Sequence, residues 1–212
     1  MNKNENFVIT INRELGSGGR TVGRLIAEKL GVPYFDKALI QALQKEYNLS
    51  VAEIEKLKGL KQGWWSEVQR IFSIGPGITT NYYMPMLGEE PDVLTTDEVF
   101  ETETAILEKL ATEGSCIVAG RSGFHVFRKH PNHLSILIQA SLEYRLQRIM
   151  DKQNLAREDA LKTIKKVDKM RENYVKKYTR SSRYDTRNYQ LVISADDKTE
   201  EEIADLILRY IG

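Results

Sequence analysis

Residues 8–21 read VITINRELGSGGRT. An apolar run suited to a buried strand breaks into a loop with three glycines in four positions, and a helical pattern follows at once. Such a junction offers unpaired backbone N–H groups and the positive end of a helix dipole, and both favour a bound phosphate. Gly16, Ser17, Gly18 and Gly19 let the backbone approach closely and adopt positive φ, Arg20 supplies a cation, and Thr21 supplies a hydroxyl for phosphate or magnesium. The usual phosphate-loop signature, GxxxxGK[ST], is absent. Counting back from Gly18, its first glycine is Arg13 and its lysine is Gly19. From these residues alone a plain strand-to-helix turn reads as well as a phosphate cradle. A dinucleotide-binding loop reads less well. Asp36 lies 20 residues after Gly16, where a ribose-binding acid belongs, but GxGxxG from Gly16 needs a glycine where Thr21 stands.

Outward from this loop, short β-branched runs alternate with longer helical ones, which predicts βαβ units and a mostly parallel sheet. The expected strands are 7–11, 32–35, 116–119, 134–138 and 191–193, all short and without polar alternation, as suits strands covered on both faces. Helices are expected over 21–30, with Val22, Leu25, Ile26 and Lys29 at helical spacing, and from a capping box of Thr95 and Glu98 toward Glu113. Others are expected over 141–152 and 157–178, and a second capping box, Thr199 with Glu202, opens a terminal helix through Tyr210. Residues 58–94 break the rhythm. They gather glycines, prolines and aromatics with weak periodicity and read as an insertion or a flexible lid. Trp64 and Trp65 within it invite base stacking, but aromatics chiefly bury area, which favours pinning the insertion to the core or to a second subunit.

The 212 residues suffice for one domain with a real core. Basic and acidic side chains, 31 and 30, nearly cancel, so the overall balance argues for neither a nucleic-acid nor a membrane partner. The polar N-terminus and the lack of a long apolar run lead us to expect a soluble, cytoplasmic protein. Cys116, the single cysteine, lies in the apolar run SCIVAG and reads as a small buried hydrophobe. His125, His130 and His133 have no acidic or cysteine partner nearby, so no metal site is expected of them. No serine nucleophile elbow is present.

Charged residues on helices form the remaining pattern. Arg145 and Arg148 are three apart and share a helix face. On the helix from Arg157 the apolar stripe Leu161, Ile164, Val167 continues as Asp168, Arg171, Tyr174 and Tyr178. Polar groups on a buried stripe need partners. Either they pair with one another as core structure, or they face a cleft. Asp36 also reads as a helix N-cap ahead of KALIQAL, a role compatible with ligand binding.

The segment ITINRELGSGGRTVGRLIAEKLGVPYFDKALI resembles the start of the cytidylate kinase-like family: strand, GSGG loop, helix, PYxD. IVAGRSG, the strand LSILIQAS and the arginine-bearing helix LEYRLQRIM are similar to the order found in bacterial cytidylate kinases, and Asp168xxArg171 with Tyr174 and Tyr178 is a third match. The resemblance covers about residues 7–40 and 95–208. It implies a three-layer α/β, P-loop-kinase-like fold: a mostly parallel five-stranded sheet between helices, an acceptor-side insertion at 58–94 and a helical lid at 150–180. The implied activity is magnesium-dependent transfer of a phosphoryl group from ATP to a nucleoside monophosphate or related small acceptor. Phosphoryl transfer asks chiefly for positioned anions and convergent cations. By the resemblance, Gly16, Ser17, Gly18, Gly19, Arg20 and Thr21 hold donor phosphates, Arg20, Arg145 and Arg148 act on the transferring charge, and Asp36, Arg121, Asp168 and Arg171 bind the acceptor.

The chain also departs from the family pattern. Gly19 replaces the phosphate-loop lysine and Arg20 follows one position late, as a forked donor rather than a compact charge. Ala42, Ser122 and Ile164 stand where the family has an arginine, an acid and an arginine. Contacts that would fix CMP are thereby lost, and hydrogen-bonded specificity falls steeply with such losses. A phosphate or nucleotide sensor without turnover, and a homodimeric interaction protein built on residues 58–94, are the alternatives.

Overall fold

The computed structural model describes residues 1–37, 39–41 and 97–212. The expected insertion at 58–94, with Trp64 and Trp65, the Thr95 cap and Ala42, lies outside the described residues. In chain order the elements are β1 (Val8–Arg13), α1 (Gly19–Leu30), β2 (Tyr34–Asp36), α2 (Asp97–Glu113), β3 (Cys116–Ala119), α3 (Gly123–Val126), β4 (His133–Gln139), α4 (Leu142–Gln153), α5 (Arg157–Thr179), β5 (Leu191–Ser194) and α6 (Glu200–Ile211), with a 3-10 turn at Thr186–Asn188.

The chain divides into two compact units, one of Met1–Tyr34 with Ser115–Gly212, the other Phe35–Gly114. The strands form one five-stranded sheet in the order β2-β3-β1-β4-β5. β1 runs parallel to both its neighbours, Val8 opposite Cys116 on one side and His133 on the other, and β4 runs parallel to β5. A strand paired on both edges and covered on both faces has no place for polar alternation, which explains the apolar run of 8–11. No helix among the described residues is long and apolar enough to cross a membrane.

Side chains alternate across the sheet of the first unit. Ile9, Ile11, Ile117, Ile136 and Ile138 pack with Val22 and Ile26 of α1 and with Ile203, Ile207 and Ile211 of α6. Leu137, on the opposite face, packs with Phe124, Val175 and Tyr189. These are the three layers expected, and each fully buried aliphatic side chain contributes about 1.5–3 kcal/mol. α4 and α5 share a smaller cluster of Leu146, Ile149, Ala160 and Ile164, against which Leu15 of the glycine loop also packs. Local signals fix the helix ends. The Ser141 side chain accepts the Tyr144 N–H, and Thr199 and Glu202 make the reciprocal capping box. In the second unit α2 buries Thr102, Glu103, Ile106, Leu107, Leu110 and Ala111.

Candidate functional site

β1 stays in the ladder through Arg13, opposite Ile138, and the chain then leaves the sheet. The loop is tied down at once: the Glu14 N–H donates to the Ile138 carbonyl (3.1 Å), and the Glu14 carboxylate accepts the Ala140 N–H (3.1 Å). Ser17 is buried, its hydroxyl 3.0 and 3.1 Å from the carbonyls of Glu14 and Ile138, so this side chain shapes the loop from within. Gly16 and Gly18 take φ of +87° and +79°, the left-handed region that suits glycine. A Cβ on Gly16 would fall 3.0 Å from the Arg145 backbone oxygen, and one on Gly18 would fall 3.1 Å from Cγ of Glu200.

Gly18 is the N-cap of α1, with no side-chain cap and no acid in the first turn. The Val22 N–H is bonded to the Gly18 carbonyl (3.1 Å), so Gly19 and Thr21 precede the first hydrogen bond donated within this helix. Arg20 adds a cation to the first turn of this helix, at the positive end of its dipole. The loop thus collects N–H groups and positive charge around one spot, which is what a phosphate requires.

Arg13 passes through this spot. A Cβ built on Gly19 would lie 2.6 Å from the Arg13 Cβ and 3.1 Å from its Cγ, and a Cβ on Gly120 would overlap the Arg13 Nη1. The Arg13 side chain therefore runs along the first residue of α1 and ends against the backbone that follows β3. Its carbonyl oxygen accepts hydrogen bonds from Arg183 Nη2 and from Arg171 Nη1 (3.3 Å).

Asp168, buried on α5, holds the loop from the other side. It accepts the Leu15 N–H (3.0 Å) and bonds Arg145 Nη1 (2.5 Å) and Arg183 Nη1 (3.4 Å), with Arg171 Nη1 at 4.0 Å. Arg145 Nε lies 3.7 Å from the Glu14 carboxylate. Arg183 is 0% exposed. Its carbonyl accepts the Tyr189 hydroxyl (2.7 Å), whose oxygen in turn accepts Asn12 Nδ2 (2.5 Å). Burial pushes the Tyr189 hydroxyl up to about 12. The resemblance had set Arg145 on the transferring phosphoryl and Asp168 on the acceptor. The structure pairs these two buried groups directly, each supplying the other's counter-charge. Arg148 is likewise paired, with Glu200 beside Gly18.

After β3, Gly120, Arg121 and Ser122 are all left-handed, with φ of +81°, +53° and +53°. For the two residues that carry a Cβ this costs about 1–2 kcal/mol each, strain that concentrates at functional sites. The Gly120 N–H donates to the Ile11 carbonyl (3.0 Å), which sets this turn beside β1, and the Arg121 guanidinium lies 4.5 Å over the Tyr174 ring. Tyr174 meets Tyr178 edge-on at 5.0 Å, and burial pushes its hydroxyl up to about 12. Arg121, Asp168, Arg171 and Tyr174 are thus brought near the glycine loop at the carboxyl ends of β1 and β3, where open α/β sheets bind ligands. Asp36 belongs to the second unit, where it is buried and accepts the Leu39 N–H (3.3 Å), the N-cap role read from the sequence.

Two other polar groups are absorbed by the core. The Cys116 thiol is buried in β3, and burial pushes it up to about 12. His133 Nε2 lies 2.8 Å from the Thr10 hydroxyl. Burial, with the charge of His130, lowers the His133 ring to about 4. Four residues of the cluster were not singled out as functional from the sequence: Arg13, Glu14, Arg183 and Glu200. Only Arg13 carried a usable signal, an arginine where the loop's first glycine belongs.

Residues 8–197 match the cytidylate kinase-like family. A protein of Lacinutrix mariniflava described as an S-adenosylmethionine-dependent nucleotide dehydratase is 26% identical over 206 residues, which are 95% of this chain and 35% of that protein. The chain therefore spans about a third of the length of that relative. An uncharacterized protein from Eubacterium ventriosum superimposes with a TM-score of 0.69 at 22% identity, over 97% of this chain and 98% of that one. A shikimate kinase from Bacteroides thetaiotaomicron gives a TM-score of 0.49 at 13% identity, over 97% of both chains.

Proposed function

Because the chain belongs to the cytidylate kinase-like family, we propose that it transfers the γ-phosphoryl group of ATP to a nucleoside monophosphate or a related small acceptor. The observation that carries this reading is the start of α1, uncapped by any side chain, with Arg20 in its first turn and left-handed glycines in the loop before it. In the reaction the bond between the γ-phosphorus and its bridging oxygen breaks, the electron pair stays on ADP, and an acceptor oxygen bonds to phosphorus. Little covalent chemistry falls to the protein. Its task is to position two anions and spread cationic charge over the group in transit.

The amides of residues 16–21 and Arg20 hold the donor phosphates. Magnesium enters with ATP as part of the substrate, and the Thr21 hydroxyl is a group that fits it. Asp168 and Arg145 act as positioning residues, since their pairing fixes Leu15 and hence the loop. Arg148, paired with Glu200 beside Gly18, acts on the transferring charge once it is released from that acid. Arg121, fixed over Tyr174, and Arg171 serve the acceptor. The nucleotide in the name of the L. mariniflava relative supports a nucleotide as the acceptor.

A second reading is a nucleotide sensor without turnover, favoured by the pairing of Arg145 and Arg148 with acids of the same chain. One panel separates the two: Mg-ATP with each nucleoside monophosphate, read as diphosphate formed. Turnover that falls at least tenfold in Arg20→Ala and in Arg121→Ala supports the kinase. ATP binding without turnover on any acceptor supports the sensor, and absence of nucleotide binding removes both.

A further inference from the structure

The loop signature and the structure disagree about where a cation belongs, and the geometry resolves the disagreement. Aligned on Gly18, positions 13 and 19 of the usual signature hold glycine and lysine, whereas this chain has Arg13 and Gly19. A Cβ at 19 would stand 2.6 Å from the Arg13 Cβ, closer than two carbon atoms come without bonding. Only one of the two positions accommodates a side chain. The exchange is therefore reciprocal: moving the basic side chain to 13 requires the glycine to move to 19.

The course of that side chain supplies the second observation. Gly120, the other glycine whose missing Cβ makes room, lies at the left-handed turn after β3, and the Arg13 guanidinium ends there. The charge consequently stands between the glycine loop and the Arg121 turn, at the carboxyl ends of β1 and β3. Its main chain is immobilised by Arg171 and Arg183 on the Arg13 carbonyl, and the residue as a whole is half-buried.

We infer that Arg13 is a phosphate-binding cation of this loop in addition to Arg20, replacing in space the lysine that Gly19 displaces in sequence, and that its ligand is the terminal phosphates of a nucleoside triphosphate. The inference rests on the kinase or nucleotide-binding reading of the loop. A guanidinium in this position gives forked contacts to two phosphate oxygens instead of one point charge. As the bridging bond breaks, it faces the charge that gathers on the leaving diphosphate.

The test measures binding of ATP and of inorganic tripolyphosphate to the full chain by calorimetry, together with the melting temperature of each variant. Arg13→Gln keeps the stem and removes the charge; tripolyphosphate affinity should fall about 10- to 100-fold, as expected for loss of a charge-assisted contact, with the melting temperature within a few degrees of wild type. The double exchange Arg13→Gly with Gly19→Lys restores the glycine and the lysine of the usual signature, Arg20 still standing where its Ser or Thr belongs, and should recover affinity to within about fivefold of wild type, on the same scale of one charge-assisted contact. If the wild type binds both ligands and Arg13→Gln binds them equally well, the inference is overturned while the nucleotide reading stands. Should Arg13→Gln fail to fold, a folded double exchange that has lost tripolyphosphate binding overturns it, and one that binds supports it. If the wild type binds neither ligand, the nucleotide reading falls and takes the inference with it.

Discussion

Replacing Asp168 by alanine should destabilise the protein by about 3–5 kcal/mol, the scale for breaking a buried ion pair by removing one partner. Asp168 is 8% exposed, and its carboxylate serves Leu15 N–H, Arg145 Nη1 and Arg183 Nη1 together. Its loss does not fall equally on the two arginines. Arg145 keeps Glu14 at 3.7 Å, whereas Arg183, with no exposed surface, keeps no carboxylate, its guanidinium retaining the neutral Arg13 carbonyl and the Tyr184 ring at 5.1 Å. Most of the cost therefore comes from the uncompensated Arg183 charge, and the orphaned Leu15 amide adds about 1–3 kcal/mol within the same total. Near 200 residues each kcal/mol moves the melting temperature by about 2–4 °C, so a drop of about 6–20 °C is expected in a thermal scan. Asp168→Asn retains an acceptor for Leu15 and should lose less. In the Asp168→Ala background, Arg183→Met should cost far less than it does alone, because the charge it removes has already lost its partner. A drop under about 2 °C for Asp168→Ala, or strict additivity of the two substitutions, would refute this account.

Three further outcomes follow from the geometry. Gly19→Ala should cost about 1–3 kcal/mol by overpacking against the Arg13 Cβ at 2.6 Å, and little or nothing in an Arg13→Gly background, as read by urea unfolding; equal costs in both backgrounds would contradict the clash. His133 is lowered to about 4, so below pH 6.5 the unfolded chain takes up a proton that the folded one refuses. Stability is complete above that pH, and about 3 kcal/mol is lost as pH falls toward 4. His133→Gln should flatten that stretch of the stability profile. Glu200→Gln removes a negative charge beside Gly18 and releases Arg148, so ATP affinity should rise about two- to tenfold, on the scale of one partly screened charge. Unchanged or weaker binding would place Glu200 outside the influence of the phosphate seat.

How much of this was legible beforehand varied with the range of the interaction. Local signals read well. Cys116–Ala119 was expected over the same residues, the Ser141 start of α4 within one, and the Thr199 and Glu202 box as found. Errors came where the determinant was a neighbour. β1 extends to Arg13 because Asn12 and Arg13 pair with Leu137 and Ile138, although their side chains suggest a loop. α1 begins at Gly19, two residues before the expected start, because glycine hides a helical turn that the Gly18 carbonyl already anchors. The glycine loop and the Asp168, Arg171 and Tyr174 stripe were visible as a site, but their partners were not. Arg183 lies in RSSRYDTR, where no periodicity marks an inward residue, and only the tertiary fold reveals that it is the largest fully buried side chain among the described residues. The pairing of Arg145 with Asp168 crosses two helices, and helical spacing alone speaks only to neighbours on one.

The mutual exclusion of side chains at 13 and 19 bears on how such a loop changes over generations. Gaining a side chain at 19 while Arg13 is present forces an overlap, and losing Arg13 first leaves the loop without that charge. Neither single step is neutral, so lineages with the basic group at one position and at the other are separated by a valley that independent point changes do not cross cheaply. A motif search that scores each position separately sees Arg13 and Gly19 as two unrelated defects. Scored as a pair, the same two residues amount to one substitution of place.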